Sequence, residues 1–205
     1  RSVEGSFPKV NVKLRPETYR GKMPPRGIKL LSEFYKQFVK LTYVNCWHIS
    51  QHQSAAMWKI YLQSNEGIAI RSTCGKLKES LKKDTSHELH IGKVKYISYV
   101  KDVIPEGSLF PYFHKRMSFD YEKELRAVIQ AFSYDKDANI NWSKSPYRAG
   151  LNVPVDLDIL IDHIILTPSC SSWLKEVVKS VLSKYNLKKP VRKSLLYVKD
   201  ERIVY

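Results

Sequence analysis

Hydrophobic residues in this chain follow two different repeats, and the repeats alternate in short blocks. No block is long enough to impose a repeat architecture or a single uninterrupted sheet. Leu30, Leu31, Phe34, Phe38 and Leu41 recur at helical spacing, which predicts a helix over about 28–41. Tyr43, Val44, Cys46, Trp47 and Ile49 then predict a buried strand within 41–50. A second helix is expected over 52–64, with Ser54 as N-cap and 65–67 as its stop. Residues 67–73 read as a short strand, 75–83 as a helix with Leu77 and Leu81 inward, and 90–99 as a strand. The segment 119–131 reads as one continuous strand, 132–153 as a polar loop or hairpin, and 157–166 as a strongly apolar segment. Leu174, Val177, Val178, Val181, Leu182 and Tyr185 predict a helix opened by Ser171 and Ser172 and ended by Asn186. A last strand is expected over 191–198. Strands mixed with scattered helices define an α+β class, a mixed or mainly antiparallel sheet flanked by helices. A single domain over 1–205 is expected. Residues 1–27 hold Pro8, Pro16, Pro24 and Pro25 and read as an extended connector.

Charge limits the partners. There are 35 basic and 20 acidic residues, a net charge of +15, and the excess sits at the ends. Residues 1–40 carry ten Lys or Arg against three acids, and 171–205 carry nine against three. If the fold gathers these ends on one face, that face suits phosphates. Otherwise they are solvated segments that keep the protein soluble. No stretch approaches the roughly 20 apolar residues of a membrane span. Cys46, Cys74 and Cys170 are odd in number and widely spaced, which fits a reducing cytoplasm and no disulfide framework.

Several ordered motifs resemble those of a widespread, uncharacterised bacterial and phage domain family. They are Trp58-Lys-Ile-Tyr61 followed by Gly67-Ile-Ala-Ile70, the segment from His114 to Arg126 with its Phe-x-Tyr-Glu-x-Glu-x-Arg core, and Leu160 to Pro168 followed by Trp173, Val177 and Val191 to Ser194. Glu4-Gly5-Ser6 resembles the tail of a further motif, and the resemblance covers nearly the whole chain. The family's opening strand and helix, which precede that motif, have no counterpart here. The resemblance implies a fold neighbourhood more than a function, and a role in bacterial or phage conflict is expected beside it.

The 119–131 strand carries the sharpest chemistry. Alternation puts Asp120, Glu122, Glu124 and Arg126 on one side. Two carboxylates about 7 Å apart on such a strand can divide acid and base roles, and an arginine beside them can hold a phosphate. The catalytic candidates are therefore Glu122, Glu124 and Arg126. The plain alternative is a structural Glu–Arg pair. Lys115 and Arg116 precede this strand and are expected to steer an anion toward it.

A Glu-x-Glu strand, with Arg71-Ser72-Thr73 ending another, is similar to parts of the ADP-ribosyltransferase pattern. That similarity implies NAD as cofactor, with a glutamate on a ribose hydroxyl and Ser72 shaping a nicotinamide pocket. The first-strand Arg or His of that pattern is not identifiable here. Trp58 and Tyr61 lie three apart on one helix face; they can stack on a base, but core packing is the expected role. No metal-ligand spacing appears. The expected function is a cytoplasmic protein acting on a nucleotide or nucleic acid. The alternative is a non-enzymatic basic module that binds nucleic acid or a protein partner.

Overall fold

A computed structural model describes residues 5–62, 64, 66–84, 86–142 and 144–197. In chain order the helices are α1 (Lys9–Thr18), α2 (Pro25–Leu41), α3 (Ala55–Tyr61), α4 (Cys74–Ser80), α5 (Leu157–Leu160) and α6 (Ser172–Lys184). The strands are β1 (Thr42–His48), β2 (Ile68–Arg71), β3 (Leu89–Lys93), β4 (Lys95–Ile97), β5 (His114–Arg116), β6 (Glu124–Gln130), β7 (His163–Leu166) and β8 (Val191–Lys193). The class is α+β, with antiparallel and mixed sheets. The fold comprises two compact units, Arg1–Ile49 with Ser86–Asn152 and Ser50–Thr85 with Val153–Tyr205.

In the first unit β6 is the centre of an antiparallel sheet ordered β1-β6-β3. Both faces of β6 are covered, so every residue from Glu124 to Ile129 is buried. β1 is less enclosed than its apolar content predicts, and Cys46 is exposed because β1 lies at the sheet edge. Phe34 and Phe38 of α2 meet Trp142 at ring-centroid distances of 5.1 and 5.5 Å, and Phe38 meets Phe132 at 6.2 Å. The polar 132–142 loop is thus anchored by two aromatic side chains, each contributing area burial plus about 0.5–1.5 kcal/mol of ring geometry.

The expected connector contains α1. Its attachment is polar: Asn11 Nδ2 donates to the Ile104 carbonyl (2.6 Å), and Ile104 N–H donates back to Asn11 Oδ1 (3.0 Å). One turn on, Arg15 Nε donates to Glu106 (2.9 Å), and its guanidinium lies over Phe7 and Tyr35. A helix held by an asparagine and an arginine leaves no apolar stripe to read.

The segment expected as one strand over 119–131 is two elements. Residues Met117–Glu122 form a 3-10 helix, and Lys123 turns left-handed (φ 41°) before β6 begins. The strand expected over 90–99 also divides: β3 pairs with β6, whereas β4 pairs in parallel with β5. At the join, Val94 N–H donates to the Glu124 carbonyl (2.9 Å).

The second unit is a β2-β7-β8 sheet, antiparallel at β2–β7 and parallel at β7–β8. Parallel neighbours require a crossover, and α6 supplies it. The apolar 157–166 segment starts as the helical turn α5, because Asp156 caps it by accepting from Asp158 and Ile159 N–H. Ser54 and Thr73 cap α3 and α4 by accepting from Met57 and Lys76 N–H. Asn186, at φ 54°, ends α6 as expected. Glu4, Asn65 and Val198 lie outside the described residues.

Candidate functional site

Four charged side chains of the first unit form one hydrogen-bonded chain. Glu122 sits at the end of the 3-10 helix, Glu124 and Arg126 on β6, and Lys115 on β5. Lys115 Nζ bonds Glu122 Oε2 and donates to Glu124 Oε1 (2.8 Å). Arg126 Nε donates to Glu124 Oε2 (2.5 Å), and its Nη1 donates to the Tyr112 carbonyl (2.7 Å). Two anions and two cations are neutralised together where Glu122, Glu124 and Arg126 are 8%, 5% and 1% exposed. The alternation expected for Asp120 through Arg126 fails at Lys123, and Asp120 lies on the 3-10 helix, outside β6.

This enclosure separates the two carboxyls. Burial raises Glu122, and a hydrogen bond shared with Glu124 raises it further, against the pull of Lys115. Burial also acts to raise Glu124, but hydrogen bonds from Glu122, Arg126 and Lys115 outweigh it and hold Glu124 far below the carboxylate range. Burial acts to lower Lys115, and its bonds to both glutamates reverse this, leaving it above the ordinary lysine value. Glu122 therefore gives up its proton at a higher pH than Glu124 does.

Around them, Glu124 N–H donates to Tyr96 Oη (2.8 Å). His48 faces Glu124 across the β1–β6 register, and its Nδ1 donates to the Glu122 carbonyl (2.6 Å). That bond fixes Nδ1 as the protonated ring nitrogen. Tyr96 and Tyr112 left no signal in the spacing, because one contributes a hydroxyl and the other a backbone carbonyl. The expected steering pair splits. Arg116 is exposed at the end of β5, while Lys115 turns inward and is occupied by the glutamates.

Gly5 is buried against the ring of Tyr112, the residue whose carbonyl accepts from Arg126. Its φ is +79°, and a Cβ there would lie 2.5 Å from Tyr112 Cε1. Gly5→Ala should destabilise the protein by about 2–4 kcal/mol, from left-handed backbone and overpacking together. Urea unfolding measures it, and an unchanged midpoint contradicts the contact.

The remaining sequence-derived candidates lie in the second unit. Arg71 ends β2 opposite His163 of β7. Its Nη1 donates to the Ser50 carbonyl (2.8 Å) and its Nη2 to that of Gln51 (3.4 Å). Arg71, His163, Gln51, His52 and Gln53 line a cleft of about 460 Å³. Ile165, Leu195 and Leu196 supply its apolar wall. Its volume falls in the range of small-molecule sites, while it is open to solvent and lined mostly by polar side chains. Trp58 Nε1 donates to Gln53 Oε1 (3.4 Å), tethering one lining amide. Core packing of the Trp58–Tyr61 pair is corrected: α3 buries none of its residues, and Tyr61 is 64% exposed, because α3 lies on the surface. Ser72 Oγ donates to the Leu160 carbonyl (2.6 Å), so its hydroxyl satisfies backbone. The two histidines and two glutamines were legible only as isolated polar residues until the fold gathered them.

Among the described residues, no group of three or more His, Cys, Asp or Glu is placed to hold a metal ion. No helix among them is long and apolar enough to cross a membrane. Compared with family models, curated proteins and solved structures, the chain finds no match.

Proposed function

We propose that this protein binds a nucleotide-class anion and acts on it, with the Arg71 cleft of the second unit as the binding site. One observation carries the reading: a strand-end arginine, two imidazoles and two amides line one open cleft beside aliphatic side chains. Cationic N–H donors suit phosphate, amides suit a base edge, and the apolar wall suits a base or ribose face. The net charge of +15 supports the same class of ligand by raising its local concentration.

Calorimetric titration with AMP, ADP-ribose and NAD tests it. His163→Gln should weaken binding about tenfold or more, as expected for one charge-assisted contact of roughly 1.5–3 kcal/mol. Arg71→Gln should weaken it further, with circular dichroism checking that the 50–53 loop survives loss of its clamp. No heat with any of the three ligands removes the proposal.

A second reading is favoured by the split carboxyls of the first unit. Two adjacent carboxyls whose environments push their proton affinities in opposite directions are an arrangement a group-transfer enzyme can use. With the resemblance noted above, this supports an ADP-ribosyltransferase-like activity in bacterial or phage conflict. Incubation with labelled NAD should then release nicotinamide, and Glu122→Gln and Glu124→Gln should each abolish that release. Binding without release in the unaltered protein leaves a non-enzymatic binding module.

A further inference from the structure

The two imidazoles of the Arg71 cleft are held by different devices. His163 stands beside Arg71 in the β2–β7 register. Its Nδ1 donates to Asp162 Oδ2 (3.1 Å), and Lys76 Nζ bonds the other oxygen of that carboxylate. Nδ1 is thereby committed, and proton transfer falls to Nε2. His52 belongs to the 50–53 loop. Ser50 Oγ donates to the His52 carbonyl (2.6 Å) and accepts from its N–H (3.2 Å). The carbonyls of Ser50 and Gln51 are themselves held by Arg71. One guanidinium therefore ties the loop that carries His52 to the strand end beside His163. This clamp uses two of the guanidinium's five N–H donors, and the others remain for a phosphate.

We infer that this cleft cleaves RNA by transferring a phosphodiester to its own 2′-hydroxyl, with His52 as base, His163 as acid and Arg71 on the phosphate. The inference rests on the reading of the cleft as a nucleotide site and adds a reaction and a substrate class to it. Amide, imidazole, guanidinium and aliphatic groups line the cleft. They carry protons and charge, and RNA brings the nucleophile. Arg192 favours a strand over a mononucleotide. It is exposed on β8 beside Ile165, so it shares the sheet face of the cleft and can meet a neighbouring phosphate. In the step, the 2′-oxygen bonds to phosphorus while the bond from phosphorus to the 5′-oxygen breaks. His52 takes the proton of the 2′-hydroxyl, and His163 gives one to the departing 5′-oxygen. Asp162 sets a negative charge beside His163, which suits the proton donor. Arg71 meets the charge that builds on the phosphate oxygens. The products are a 2′,3′-cyclic phosphate and a 5′-hydroxyl.

The test incubates the full chain with the ribodinucleotide UpU and with oligouridylate, and follows the products by chromatography. Cyclic phosphate is expected from both. The deoxy counterpart of UpU should bind and stay intact. His52→Ala and His163→Ala, purified in the same way, should each lower kcat about 100-fold or more, with unchanged circular dichroism spectra. Asp162→Ala should lower kcat and leave KM unchanged, and Asp162→Asn, which can still accept from Nδ1, should recover part of the loss. Arg192→Ala should raise KM for oligouridylate more than for UpU. Binding of the deoxy counterpart with no cleavage of UpU overturns the inference and leaves the nucleotide reading standing; no binding of either removes both. Cleavage of the deoxy counterpart, or full activity in either histidine variant, also overturns it.

Discussion

Replacing Arg126 by methionine is expected to cost about 3–5 kcal/mol of folding stability, because it leaves two buried carboxyls with a single cation between them. The charge removed is 1% exposed, and it holds both Glu124 and the Tyr112 carbonyl. Lys115 remains, so one cation would face two carboxyls, and Glu122 and Glu124 would compete for it. The paired change Glu124→Gln with Arg126→Met should recover part of the loss, since neither buried charge is then stranded. Urea unfolding of the two single variants and the pair measures this coupling; strict additivity would mean that the side chains do not act as a unit. The pH dependence has a definite sign. Glu124 titrates below its ordinary value of 4.5 in the folded protein, so its contribution is present above that pH and fades as pH falls toward the folded value. Glu122 is shifted upward, so its contribution is present below 4.5 and is lost as pH rises through its folded value. Acid unfolding should therefore be less steep in Glu124→Gln than in the parent protein.

Arg15→Ala is expected to cost a similar amount, about 3–5 kcal/mol, by stranding Glu106 and removing a cation held between two rings. Arg15 is 2% exposed; it also reaches Ser32 Oγ (2.6 Å), and its guanidinium carbon lies 5.0 Å from the Phe7 centroid and 5.3 Å from that of Tyr35. Burial and the neighbouring Glu106 push the Tyr35 hydroxyl up to about 12. Arg15→Lys should recover only part of the loss, since an ammonium lacks the planar fork. Hydrogen exchange distinguishes this lesion from the first. Amides of 9–18 should lose protection while β6 keeps most of its own, because α1 is attached by these side chains and not by an apolar face. Equal loss of protection throughout the first unit would contradict that picture.

The parts legible in the sequence are those that follow a repeat. α2 announces itself through Phe34, Phe38 and Leu41, α6 through Val178 and Leu182, and Ser54 caps α3 where a serine before an apolar run should. What stayed hidden depends on interactions between distant residues. Asn11 and Arg15 look like connector residues until Ile104 and Glu106 are beside them. Lys123 breaks the expected strand at a position whose residue type gives no warning of left-handed backbone. The Glu-x-Glu-x-Arg segment was legible as a charged constellation, and its members do meet. Their burial and their joint neutralisation with Lys115 were not, because β5 reaches them only through tertiary structure. Arg71 was legible as a binding candidate; its histidine and glutamine companions come from β7 and from the 51–53 loop.

Each compact unit is stitched from two separate lengths of the chain. During synthesis, Thr42 to His48 will have left the ribosome some eighty residues before Gln130 to Glu124 emerge to zip against them. Until then β1 offers an open edge to any passing strand, and a nascent chain stalled between the two would be a target for chaperones and proteases. No single cut along the polypeptide can release either half intact, so gene fragments made to isolate one activity will need both lengths, rejoined by a designed loop.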